Sequence, residues 1–274
     1  MAEARVAVNP PASLWWDTLP ADLRVPLGEP LEGDTSADVV IVGAGYSGLW
    51  TAYYLLTGSP GIRIAIVEAE VAGFGASGRN GGWASALFPA SMGAIARRSS
   101  RDQAIRMQRA MHDTVDEIGS VATREGWDIG WAKGGTVVAA RTPLQWQRAK
   151  ETIEEWRSWG FGEEDYSLLD ASQARAMVHA TDVLGATFTP HCAAIHPARL
   201  VRNLARTVVR LGGRLYEHSP VVSLEPGLVR TAAGSVRAPY VVRATEGYTA
   251  SLPGYRRTLS PVYSLMLATE PLSE

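Results

Sequence analysis

The sequence predicts an α/β fold: a parallel-sheet domain carried by two chain segments, with an α+β domain inserted between them. Two short, apolar, β-branched runs, Asp38 to Val42 and Ile62 to Val67, flank a helical pattern, and a glycine cluster lies where the first run meets that helix. Composition agrees with a packed chain. Of 274 residues, 46% are hydrophobic and 20% charged, far from the balance of a disordered chain.

Residues 1–37 hold five of the 16 prolines and little periodicity, so they are expected to form an extended lead with Trp15 and Trp16 docked on the surface. Met1 to Arg5 lead into no apolar stretch before Pro10 and Pro11, so no secretory signal is expected. Val39 to Ile62 is uncharged and long enough to suggest a membrane span, but Gly43, Gly45, Gly48, Gly58, Pro60 and Gly61 break it. It reads as a buried strand, a helix from Tyr46 to Thr57 stopped at Gly58, and the start of a second strand, a right-handed βαβ unit.

Helical spacing of Ile105, Met111, Val115, Ile118 and Ala122 predicts a helix over Arg101 to Arg124 with Gly126 as its stop. Gly130 to Ala140 reads as a hairpin turning at Lys133-Gly134-Gly135. Thr142-Pro143-Leu144-Gln145 reads as a capping box opening a helix that runs to about Trp159. A further helix after Asp170 to Ser172 and a strand near Val183 to Thr189 make Trp127 to Pro190 an α+β insert. Pro197 to Leu211 returns to helix, and strands follow at Arg214 to Glu217, Val221 to Glu225, Leu228 to Thr231 and Tyr240 to Ala244.

A formal net charge of −2 supplies no field for drawing in nucleic acid or anionic lipid, so neither is an expected partner. The single cysteine, Cys192, can build neither an intramolecular disulfide nor a multi-thiolate metal site, which fits a reducing compartment and a cytoplasmic location. His191, Cys192 and His196 lack zinc-site spacing, and no metal is predicted. His196 precedes Pro197 at a helix start and reads as an N-cap. The arginines at 97, 98, 101, 106 and 109 read as a solvated face.

Gly43-Ala44-Gly45-Tyr46-Ser47-Gly48 matches G-x-G-x-x-G, a weak signal alone in a chain with 27 glycines. Its context strengthens it: a strand precedes it, a helix follows, and a second strand ends at Glu68, where an acid about 20 residues on is expected. Gly43 allows a tight turn, Gly45 lets backbone approach a pyrophosphate, and Gly48 lets helix and strand pack closely. The helix N-terminus supplies N–H groups and a positive dipole end to the phosphates, and the Glu68 carboxylate accepts from ribose hydroxyls. This Rossmann-like arrangement predicts an adenine dinucleotide, and spacing alone does not separate FAD from NAD.

The stretches Asp38 to Gly48, Glu68, Gly73 to Gly82 and Ile195 to Leu200, with Gly212 to Val221 and Val241 to Thr249, resemble the FAD-dependent amine and amino-acid oxidoreductases of the D-amino-acid oxidase and glycine oxidase superfamily. The Gly-Ala-Ser-Gly-Arg-Asn-Gly-Gly stretch looks most like the γ-glutamylputrescine oxidoreductase branch. The resemblance implies FAD as cofactor, held by Gly43 to Gly48, Glu68, Ala69, Gly75 and Ala76. It further places Ser77 and Arg79 near the pyrophosphate or flavin, and Asn80, Gly81 and Gly82 along the isoalloxazine edge. Val221 would meet the adenine, and Ala244, Thr245 and Gly247 would form a turn beneath the dinucleotide.

The implied division is a lead at 1–37, an FAD-binding domain at 38–92 and 193–248, and a substrate domain at 93–192 and 249–274. Members of the family continue past the position of Glu274, so the chain resembles an N-terminal fragment. The implied reaction is oxidation of the C–N bond of a small-molecule amine or amino acid, with hydride passing to flavin N5 and the imine then hydrolysing. Tyr248, Tyr255, Arg256, Arg257 and Tyr263 are candidates to meet such a substrate, and no catalytic residue is nominated. An NAD-dependent dehydrogenase and a catalytically silent FAD-binding fragment stay open as alternatives, and the oligomeric state is not read.

Overall fold

The computed structural model describes residues 13–270, so the reading of Met1 to Arg5, Pro10 and Pro11 lies outside the described residues. The chain forms two compact units. One comprises the described residues up to Gly81 and from His196 onward, and the other is Gly82–Ile195. Residues 82–92 thus group with the insert, and 249–270 group with the first unit.

In the first unit a parallel sheet takes the order Tyr240–Arg243, Val39–Val42, Ile64–Val67, Arg214–Tyr216. Val39–Val42 and Ile64–Val67 are buried at every position, as both-face coverage of a parallel sheet requires. The helix Tyr46–Gly58 joins these two strands and runs through Gly58 to a C-cap at Ser59, so Gly58 does not stop it. The helix Pro197–Arg210 packs beside it. His196 caps that second helix as expected, its Nδ1 accepting from the Arg199 N–H at 3.2 Å.

A second, mixed sheet orders Gly33–Ser36, Gly234–Arg237, Leu228–Thr231 and Val221–Glu225. Gly234–Arg237 carries no sequence signal beyond turn residues, and it becomes a strand because Leu228–Thr231 and Gly33–Ser36 pair on its two sides.

The described part of the lead, residues 13–37, is not extended throughout. It holds a helical turn, Leu14–Asp17, and the strand Gly33–Ser36. Trp16 is 2% exposed, packed with Leu19, Leu23, Val71 and Ala198, and Trp15 Nε1 donates to the Asn80 carbonyl at 2.8 Å. Beneath this segment lies an ion pair, Arg202–Glu217, with side chains 1% and 0% exposed. Glu217 Oε2 accepts from the backbone N–H of Leu27 at 2.8 Å and of Gly28 at 3.3 Å, while Oε1 accepts from Ala72 at 2.8 Å and Arg202 at 3.1 Å. Arg202 donates in addition to the carbonyls of Leu23, Val25 and Ala72. Every side-chain nitrogen and oxygen of the pair thus has at least one partner, which is the condition for burying charge.

In the Gly82–Ile195 unit, helix Arg101–Glu125 is capped by Ser100 and ended by Gly126 at φ 71°. Helix Pro143–Trp159 opens on the Thr142/Gln145 capping box. Helix Ala171–Met177 opens on Asp170, which forms a capping box of its own with Gln173. An antiparallel sheet orders Thr136–Ala140, Gly185–Thr189 and Ser167–Asp170. The expected hairpin at Lys133-Gly134-Gly135 does not form. Ala132 bridges to Ala194 instead, and Thr136–Ala140 pairs with Gly185–Thr189. The short strands Trp83–Ser85 and Cys192–Ala194 pair antiparallel, and Met92–Arg98 is a further helix. Among the described residues no helix is long and apolar enough to cross a membrane.

Candidate FAD-binding site

The carboxyl ends of Val39–Val42 and Tyr240–Arg243 mark the point where strand order reverses, since the next strand, Ile64–Val67, lies on the other side of Val39–Val42. Open α/β sheets form their ligand crevice at such a point. A cavity of about 310 Å³ opens there.

The glycine motif shapes its floor. Gly43 adopts φ 105°, and a Cβ there would stand 2.5 Å from the Ala244 carbonyl oxygen. A Cβ on Gly48 would stand 2.1 Å from the Gly43 carbonyl oxygen, so this glycine serves helix-to-strand packing. Gly45 is the N-cap of Tyr46–Gly58 and offers no side chain to its orphan N–H groups. The Tyr46 N–H instead meets Ser77 Oγ at 2.9 Å, and a Cβ on Gly45 would stand 3.0 Å from that same oxygen. Ser77 thus places a hydroxyl at the positive end of the helix, where it can accept from the backbone and donate to a phosphate oxygen.

Glu68 lies at the end of the second strand. Its Oε2 accepts from the Ala44 N–H at 2.7 Å and its Oε1 from the Glu70 N–H at 3.1 Å. Burial pushes its carboxyl above the usual range, and the backbone donors at Ala44 and Glu70 oppose that rise. The Tyr46 hydroxyl donates to the Pro197 carbonyl at 3.0 Å, and burial pushes its pKa up, so it stays protonated.

Twelve of the residues expected to hold a cofactor line this one cavity. Gly43, Gly45, Tyr46 and Ser47 come from the motif, Glu68 and Ala69 from the second strand end. Gly75, Ala76 and Ser77 come from the following loop, and Val221, Ala244 and Thr245 from the returning segment. The others lie off it. Ala44 is fully buried and Gly48 is in the packing contact described above. Arg79 donates to the Tyr248 hydroxyl at 2.9 Å and stands over the Phe74 ring at 5.4 Å. The Asn80 side-chain amide returns to the carbonyls of Ala76 and Ser77. Gly81 faces Met266, Gly247 faces Pro261, and Gly82 falls in the other unit.

Sequence reasoning did not place Glu70, Pro220, Ser251 and Leu252 on the wall of this cavity. Tyr248 also lines it, the one member of the tyrosine and arginine group between 248 and 263 to do so. Arg243 stacks over Tyr255 at 4.3 Å, and Tyr263 is exposed.

A second polar cluster lies wholly inside the Gly82–Ile195 unit. The His112 and His191 rings are parallel, 4° apart in tilt with centroids at 3.5 Å, and both face Asp165 Oδ1, His191 Nε2 at 2.8 Å and His112 Nδ1 at 3.6 Å. Their ligand atoms lie within 4.8 Å of one another. Imidazole lone pairs lie in the ring plane, so two parallel rings at this spacing cannot both aim at one ion held about 2.0–2.1 Å from each nitrogen. The other nitrogen of His112, Nε2, meets Gln108 at 3.2 Å and Tyr166 at 3.0 Å.

Burial, reinforced by the neighbouring His191, lowers the His112 pKa from 6.5 to about 4 against the pull of Asp165, Asp113 and Asp116. A depressed histidine binds fewer protons folded than unfolded, so its contribution to stability is complete above about pH 6.5 and is lost as pH falls toward 4. Thermal midpoints measured across that window should fall for the parent chain and fall less steeply for His112→Gln. Equal slopes would show that another group carries the acid sensitivity.

Comparison with known proteins follows the same outline. A family model described as FAD dependent oxidoreductase, DAO, matches residues 38–274. The chain is 32% identical over 249 residues to the γ-glutamylputrescine oxidoreductase of Escherichia coli, covering 89% of this chain and 57% of that protein. It is 27% identical over 225 residues to the glycine oxidase of Bacillus licheniformis, covering 78% of this chain and 55% of that one. The crystal structure of glycine oxidase from Geobacillus kaustophilus superposes with a TM-score of 0.62 at 25% identity, over 81% of this chain and 58% of that chain. This chain therefore spans less than two thirds of the length of these relatives. With a family model matching residues 38–274, which include the strand, glycine turn, helix, acidic strand end and returning segment described above, the chain belongs to the DAO family of FAD-dependent oxidoreductases.

Proposed function

We propose that this chain carries the FAD-holding part of an oxidoreductase that oxidises the C–N bond of a small-molecule amine or amino acid. The observation that carries the reading is the convergence of the glycine turn, Glu68, Ser77 and Val221 on one cavity at the strand-order reversal. The donor set fits an adenine dinucleotide. An uncapped helix N-terminus and the Ser77 hydroxyl suit a pyrophosphate, the Glu68 carboxylate suits ribose hydroxyls, and a glycine stands where a side chain would narrow the cradle. The names of the relatives support amines and amino acids as the substrate class, one acting on γ-glutamylputrescine and another on glycine.

Bound FAD would supply a hydride acceptor at flavin N5 for the substrate C–H beside nitrogen, leaving an imine that water would hydrolyse. The residues of this chain bind and orient. Glu68 would hold the sugar, the first turn of Tyr46–Gly58 would offset the charge of the diphosphate, and Val221 would offer an apolar contact for a base.

Purified chain titrated with FAD should turn yellow and retain the colour through gel filtration, and a set of primary and secondary amines and amino acids should bleach the visible flavin band anaerobically. Glu68→Ala should weaken FAD about tenfold, the worth of one or two charge-assisted hydrogen bonds. Tight NADH binding without FAD binding would overturn the cofactor assignment. FAD binding with no bleaching by any amine would keep the cofactor and overturn turnover by this chain.

A further inference from the structure

The loop after the second parallel strand gives Gly73, Phe74, Gly75, Ala76 and Ser77 to the wall of the cavity at the strand-order reversal. Glycines at 73, 75 and 78 leave its backbone many conformations unless something outside holds it. In the conformation observed, Ser77 Oγ meets the Tyr46 N–H at 2.9 Å, at the N-terminus of helix Tyr46–Gly58.

The described part of the lead supplies the outside hold. None of its residues lines the cavity, yet the helical turn Leu14–Asp17 grips the far end of the loop. Trp15 Nε1 donates to the Asn80 carbonyl at 2.8 Å, and the Asn80 amide returns to the carbonyls of Ala76 and Ser77. Trp16 lies so close to Gly78 that a Cβ there would stand 3.0 Å from its Nε1. Trp15, Trp16 and Phe74 share one apolar cluster, so the lead also touches a side chain of the cavity wall.

The turn is itself pinned to helix Pro197–Arg210. His196 Nδ1 accepts from the Arg199 N–H, so Nε2 carries the ring proton and donates to Thr18 Oγ1 at 3.0 Å. The Thr18 hydroxyl then donates to the Leu14 carbonyl at 2.6 Å. The Trp15 and His196 rings meet edge to face at 5.0 Å, and Arg206 holds Asp22 at 2.9 Å.

We infer that the turn Leu14–Asp17 is a clasp. It selects, from the conformations open to the Gly73 to Asn80 loop, the one that sets Ser77 at the helix end, and Trp15 and Thr18 are its positioning residues. A site that is competent for only part of the time binds more weakly by that fraction, so loosening the clasp weakens FAD. By linkage, FAD tightens the clasp in return. The inference rests on the reading of this cavity as the FAD site.

The test measures FAD affinity by flavin fluorescence, together with trypsin cleavage, in the full chain. Trp15→Phe keeps a ring and removes the N–H, and it should weaken FAD about fivefold, the net worth of one hydrogen bond. Thr18→Val, at an exposed position away from loop and cavity, should also weaken FAD severalfold. Arg63→Ala breaks the exposed Arg63–Asp38 pair at the opposite ends of the strands, controls for plain destabilisation and should bind FAD as the parent does. Without FAD, both clasp variants should be cut faster than the parent after the exposed Arg79. FAD should slow cleavage of the parent after Arg24 more than after Arg230, which reports general unfolding, and this selective protection should shrink in Trp15→Phe. Parent affinity in both clasp variants would overturn the inference, as would an equal loss in Arg63→Ala or FAD protection no greater at Arg24 than at Arg230. A parent chain that binds no FAD would refute the cofactor reading first, and the clasp with it.

Discussion

Replacing Glu217 with alanine is expected to destabilise the first unit by about 3–5 kcal/mol, the cost of leaving a buried charge without its partner. Arg202, 1% exposed, would keep its carbonyl acceptors at Leu23, Val25 and Ala72 but lose the only carboxylate recorded on it. The backbone N–H groups of Leu27, Gly28 and Ala72 would lose their acceptor at the same time. Desolvation already lowers the Arg202 pKa against the pull of Glu217, so the carboxylate is what makes a buried guanidinium tolerable.

The loss should appear as a lower urea midpoint and as new protease cleavage between Thr18 and Leu31, the segment that Glu217 and Arg202 tie down. The paired change Arg202→Met with Glu217→Leu should recover much of the stability, because apolar side chains of similar volume remove the desolvation cost along with the attraction. A Glu217→Ala chain that unfolds at the parent midpoint would show that the pair contributes nothing net.

The second large effect separates two glycines three positions apart. Gly45→Val should abolish measurable FAD binding, a loss of at least about a hundredfold, with an unfolding midpoint close to the parent. Its new Cβ meets only the Ser77 side chain, the hydroxyl at 3.0 Å, at a position that lines the cavity. Gly48→Val should lower the midpoint steeply, because its Cβ would lie 2.1 Å from a backbone oxygen and 3.1 Å from the Ile41 side chain, neither able to step aside without moving strand or helix. Thermal melts with and without FAD distinguish the two. FAD affinity retained in Gly45→Val would refute the placement of the diphosphate at this turn.

Much of the cavity at the strand-order reversal was legible because its signals are short in the chain. The run Val39–Val42, the turn at Gly43 and the helix from Tyr46 are consecutive, and Glu68 closes the same βαβ unit. Helix caps at Ser100, Thr142, Asp170 and His196 are equally local, each satisfied within three residues. The Gly73 to Gly82 loop was legible only in part. Gly75, Ala76 and Ser77 reach the cavity, while Arg79 and Asn80 spend their side chains on Tyr248 and on the loop's own carbonyls.

The sequence by itself determined the βαβ unit, its uncapped helix end at the cavity and the acid that follows, because hydrophobic period and glycine position act over a few residues. Only the tertiary structure decided the fate of the described part of the lead, which is held by Glu217 and Arg202 from 190 and 179 residues further along the chain. It also decided that Gly43 must lack a Cβ on account of Ala244, and that Thr136–Ala140 pairs with Gly185–Thr189 rather than folding back on its neighbour. Such pairings depend on which surfaces meet after collapse, and strand propensity records that a segment suits a sheet without recording which strand will lie beside it.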